Sequence, residues 1–137
     1  MNRFDQFHDG FYNGLLIREG SVDLFVETLE KERFVLSASG VVSLLSRGIR
    51  EGNIIFGIEC RATSEITLGD IREVHGFAGG PQDEAYAQKA MAEVADQNLS
   101  LLVMSSSYGG DCLLLAKSFV LQPESHWIGE LCRRDRQ

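Results

Sequence analysis

At 137 residues the chain has the length of one domain, and residues 1–137 read as a single α+β unit able to build a core without disulfides or metals. A hydrophobic fraction of 44% with 24% charged residues excludes a largely disordered chain. The net charge of −7 excludes nucleic acid as the expected ligand, because phosphates are repelled unless basic side chains cluster. The only dense basic cluster is Arg133, Arg134 and Arg136, which reads as a solvated end. The acidity suits a basic protein partner or plain solubility.

Three cysteines, Cys60, Cys112 and Cys132, form no C-x-x-C pair, and their odd count points to reduced thiols and a cytoplasmic location. The first residues lack a signal-peptide core, and no apolar run is long enough for a bilayer, so no membrane association is expected.

In chain order, Phe11 to Arg18 reads as a strand with Phe11, Leu15 and Ile17 on one face. After the tight turn Glu19-Gly20, Val22, Leu24 and Val26 alternate against Asp23, Phe25 and Glu27, the period of a half-buried strand. Phe34 to Ala38 completes a three-strand meander, while Val41 to Ile49 fits either strand or helix. Ile54 to Ala62 is the cleanest strand, with Ile54, Phe56, Ile58 and Cys60 in phase, so Cys60 is expected in the core.

Thr67-x-x-Asp70 resembles a capping box, and Gly76 supplies a left-handed stop, which frames a short helix. Pro81 to Asn98 is the main helix: proline suits its first turn, Asp83 and Glu84 complement the positive end of its dipole, and Ala87, Ala90, Met91 and Val94 form its apolar stripe. Leu101 to Ser106 and Cys112 to Leu121 then form a hairpin, the second strand placing Leu114, Ala116 and Val120 opposite Leu113, Leu115 and Phe119. Runs of strands, then helices, then strands predict an α+β fold: a single-layer antiparallel sheet of about six strands with one main and one short helix packed on it.

Dinucleotide, P-loop, zincin, EF-hand and nucleophile-elbow motifs do not occur, so no cofactor is called for. His8, His75, His126 and the cysteines lack ligand spacing, so no metal is called for either. His75, near a helix end, would contact the last carbonyls.

Two segments carry candidate chemistry. His8 and Asp9 are adjacent, and on an extended chain they would point to opposite faces; the simpler reading has Asp9 capping a turn and His8 bonding to the backbone. The run Ser105 to Gly110, with Ser107 and Tyr108 at its centre, reads either as an anion-binding turn or as an ordinary hairpin loop. Trp127, beside His126, reads as a packing anchor or as a partner-binding edge.

Phe7-His8-Asp9-Gly10 followed by Gly14, Gly52-Asn53-Ile54-Ile55-Phe56, and Ser107-Tyr108-Gly109 resemble a loosely defined group of small bacterial proteins without established activity. Some similar families are regarded as immunity proteins of toxin systems. The resemblance implies an α+β fold with an antiparallel sheet. Three functions follow as expectations: a non-catalytic protein-binding module of immunity type; a small enzyme or ligand-binding domain using His8, Asp9 and the Ser107-Tyr108-Gly109 loop; and a self-associating domain, a homodimer formed through a sheet edge or the Trp127 segment.

Overall fold

The computed structural model of the chain describes residues 3–77 and 79–135; Arg136 of the basic tail lies outside them. Six antiparallel strands carry the fold: β1 (Phe11–Arg18), β2 (Ser21–Glu27), β3 (Arg33–Arg47), β4 (Asn53–Arg61), β5 (Ser100–Tyr108) and β6 (Asp111–Pro123). Three helices accompany them: α1 (Leu68–His75), α2 (Pro81–Gln97) and α3 (Glu124–Asp135). No helix among the described residues is long and apolar enough to cross a membrane.

The expected meander β1–β2–β3 and hairpin β5–β6 are both present, but the sheet is not an open single layer. It closes into a barrel in the order β1-β2-β3-β6-β5-β4. The ambiguous stretch after Ala38 belongs to β3, which runs unbroken through Val41 and Leu44 to Arg47 and pairs with β6 along most of its length. Both strands bend near Gly40 and Lys117. Ala38 and Val41 therefore both face the interior, as do Ala116 and Phe119, three residues apart where a straight strand repeats every two. This bend corrects the expected face of Val120, which is exposed while Phe119 and Leu121 pack inward.

Bulges correct two further faces. Register shifts on either side of Ile55 flip the phase of β4, because one extra residue moves every later side chain to the other face. Ile55 and Ile58 are therefore both buried while Phe56 is exposed; Cys60 keeps the phase of Ile58, as read, but is exposed beside the end of β4 rather than in the core. A shift between Tyr12 and Gly14 likewise lets both Tyr12 and Leu15 face the core; Ile17, in phase with Leu15, is 65% exposed because it lies one residue from the end of β1. Burial raises the Tyr12 phenol to about 12, and its hydroxyl sits 3.2 Å from that of Ser46.

Side chains fill the barrel interior. Leu24, Leu36, Ile55, Leu102, Met104 and Leu114 meet there, each burial stabilising by about 1.5–3 kcal/mol. Phe4 and Phe7, on a 3-10 turn at Asp5–Phe7, join this core, with Phe7 edge-on to Phe34. Outside the barrel, α1 and α2 cover the other face of β5 and β6 through Ile71, Val74, Val94, Leu101, Leu113 and Leu115. β5 and β6 are thus buried on both faces, which is why Leu101-Leu102 and Cys112 to Ala116 are continuous apolar runs.

The capping box of α1 forms as read: Asp70 N donates to Thr67 Oγ1 at 3.1 Å and Thr67 N to Asp70 Oδ2 at 2.9 Å, with Gly76 left-handed at φ 70. α3 was not expected. It follows Pro123 directly, carries Glu124 in its first turn, and seats Trp127 edge-on against Phe25 of β2, ring centroids 5.1 Å apart.

Candidate functional site

The three segments of the resemblance meet around β4. Asp9 has φ 62, so the chain turns there and is not extended. His8 and Asp9 consequently approach one another, Nε2 to Oδ2 3.6 Å with both side chains more than half exposed, correcting the expectation that they point apart. His8 does bond to the backbone: its Nδ1 donates to the Phe56 carbonyl at 2.6 Å. Asp9 N donates to the Ile55 carbonyl, and Ile55 N to the Gly10 carbonyl. A Cβ at Gly10 would overlap the Glu27 carbonyl oxygen, so this close approach requires glycine.

On the opposite edge of β4, Tyr108 pairs with Ile54 and Ser106 with Ile55. His8 and Asp9 are therefore held by the same stretch as Tyr108, with β4 between them. Ser107 and Tyr108 are exposed at the end of β5. The Gly110 amide that an anion would need is already taken, donating to Asn53 Oδ1 at 2.7 Å. Asn53, buried, also accepts from Arg50 N and donates to the Tyr12 and Arg50 carbonyls. Gly109, at φ 79, lies so close that a Cβ would overlap Asn53 Oδ1. The Gly-Asn and Tyr-Gly signatures thus build one structural knot.

Trp127 belongs to a different place. A cleft of about 280 Å³ opens between α3 and the outer face of β2, β3 and β6, lined by Arg18, Asp23, Ser37, Gln122, Trp127 and Glu130 among others. Asp23 has 0% exposure although the alternation of β2 placed it toward solvent, because α3 covers that face. Its Oδ1 accepts from Ser37 Oγ at 2.6 Å and its Oδ2 lies 2.7 Å from Arg18 Nη2. Neither Asp23 Oδ2 nor the buried Arg18 Nε makes a hydrogen bond of good geometry within the protein, so charge holds the pair and Nε keeps donor capacity. Arg18 itself stays one-third exposed. The sequence reading missed Arg18, Asp23 and Ser37; the available signal was an aspartate inside a strand otherwise apolar on both faces, Val22-Asp23-Leu24-Phe25-Val26.

A second polar cavity, about 250 Å³, lies beside α1, where Arg47 pairs with Glu73 and Asp111, and Arg61 with Asp70 and Glu59. Among the described residues no three His, Cys, Asp or Glu side chains converge on a possible metal position. No protein-family model, curated protein or solved structure matches the chain.

Proposed function

We propose that this protein is a non-catalytic protein-binding module, of the immunity type suggested by its short sequence signatures, and that its partner is a basic protein. The observation that supports this reading is the disposition of its charges. Arg18, Lys31, Arg33, Arg47, Arg61 and Arg72 are all engaged in ion pairs within the chain. The excess acidity is left to the surface, where α2, apart from the Glu84 that pairs with Arg72, carries Asp83, Glu93 and Asp96 against one lysine, Lys89. Such a field steers a cationic partner and loses its reach as salt is added. The test is affinity capture of the tagged chain from its host's lysate at low and high salt. One stoichiometric basic protein, released by salt, is the expected result; retention independent of salt rejects the electrostatic basis, and no retained protein rejects the module.

A second reading, self-association, is favoured by the edge of β1. β1 pairs with β4 only at Phe11 and Tyr12, so among the described residues no strand pairs with its outer edge from Asn13 to Arg18, and Leu16 and Ile17 are exposed there. An unprotected apolar edge is a template for strand addition. Light scattering across a concentration series is expected to show a dimer that Ile17→Lys abolishes; a monomer at every concentration removes this reading.

A further inference from the structure

The cleft beneath α3 has the chemistry of a receptor for one cationic side chain. We propose that it takes an arginine side chain of the basic partner, an inference that rests on the module reading above and names its point of contact. Arg18 and Asp23 neutralise each other at 2.7 Å, so among the charged groups lining the cleft Glu130 is left to set the sign. Glu130 shares its turn with His126, Nε2 3.7 Å away, and keeps 40% of its side chain exposed. Trp127 supplies an indole beside that carboxylate, and a planar guanidinium stacks on indole while hydrogen-bonding in its own plane. The Gln122 amide and the Ser37 hydroxyl add acceptor atoms. The volume, about 280 Å³, suits one long side chain and not a folded element. Arg18 already shows that an arginine is accommodated on this face: its guanidinium reaches from β1 to Asp23 on β2.

Trp127 is the chain's single tryptophan, so its indole N–H resonance and its emission report on this cleft alone. The experiment titrates N-acetyl-arginine amide into the intact protein, with N-acetyl-citrulline amide as the uncharged isostere. Arginine is expected to shift the Trp127 signals saturably in the millimolar range, citrulline not at all, and Glu130→Gln is expected to weaken the response about fivefold. No saturable shift up to roughly 50 mM, an equal response to citrulline, or wild-type titration by Glu130→Gln overturns the assignment. Glu130 is a partly exposed helix residue, so the variant is expected to keep its fold, and an unchanged thermal midpoint checks this. The two readings fail separately. A guanidinium-specific shift with no captured protein leaves the cleft standing and removes the module; a salt-released partner bound equally by Glu130→Gln leaves the module standing and removes the cleft.

Discussion

Asn53 uses its whole hydrogen-bonding capacity inside the protein, with two amide donors and two oxygen lone pairs all engaged between 2.6 and 3.0 Å. Truncating it leaves the Gly110 amide and the Tyr12 carbonyl buried without partners. Asn53→Ala is therefore expected to cost on the order of 3 kcal/mol in urea unfolding, with Asn53→Asp also destabilising because a carboxylate cannot donate to the Tyr12 and Arg50 carbonyls. The Arg18–Asp23 pair behaves differently. Removing one partner strands a charge, so Asp23→Ala is expected to cost about 3 kcal/mol. Replacing both, as Arg18→Met with Asp23→Leu, is expected to recover most of that loss, since an apolar surface packs equally well under α3. A double variant as unstable as the single one would show that the pair is needed for more than mutual neutralisation. Neither group was legible in the sequence by type: an asparagine before Ile-Ile looks like turn chemistry, and an aspartate alternating with apolar residues looks like a solvent face.

At the scale of elements, the helices α1 and α2 were legible because their signals are local. A capping box, a proline in the first turn and left-handed closures at Gly76 and Asn98 all lie within a few residues of the ends they define. α3 carried such signals too, in Pro123 followed by Glu124 and in Trp127 and Leu131 four apart, but Gly129 and the basic tail made the segment resemble a solvated end. His75 closes α1 in an unexpected way. Its ring stacks on Phe77 at 5.3 Å and 16°, and its Nε2 is buried without a hydrogen bond. Burial lowers its pKa below the ordinary 6.5, with Glu93 opposing the shift. The unfolded chain takes up the proton first as pH falls. The stabilisation is therefore complete above about pH 6.5 and is lost as pH drops from there toward the lowered folded value. Denaturant midpoints are expected to fall across that window, and His75→Phe, which keeps the stack, is expected to flatten the profile. An unchanged profile in the variant would assign the pH dependence elsewhere. Asp70 and Glu84, whose pKa values are lowered, act only at more acidic pH: burial opposes the Asp70 shift but its bonds to Thr67 and Arg61 outweigh it, and Arg72 holds Glu84 down.

For the molecule as a whole, the meander and the hairpin were readable because each joins strands that are neighbours in sequence, with turns that announce themselves. Closure was not, because it joins β1 to β4 across some forty residues and rests on two residue pairs, the Asn53 knot and the docking of His8 to Gly10 on Ile55 and Phe56. No hydrophobic period encodes such a seam. The bulges that make it possible are equally silent, and they account for the misplacement of Phe56; Cys60 and Ile17 keep the phase of the inward-facing Ile58 and Leu15 and are exposed because each lies one residue from the end of its strand. The same asymmetry sets how the barrel opens. β3 and β6 are paired along most of their length and buried against both cores, whereas the seam has few ladder bonds and an unpaired strand edge beside it. Local opening is cheapest where few buried contacts must be broken. Native-state hydrogen exchange is thus expected to show the Asp9 and Ile55 amides, which close the seam, exchanging through a sub-global opening well below the global free energy. The amides of Leu36 and Leu114 are expected to exchange only on complete unfolding. Asn53→Ala should lower protection at the seam by more than it lowers it in β3 and β6, because it removes the side chain that ties β1 to the turn before β4. Equal protection at Ile55 and Leu114 in the native protein would instead mean that the barrel opens as one cooperative unit, with closure contributing as much as the β3–β6 ladder.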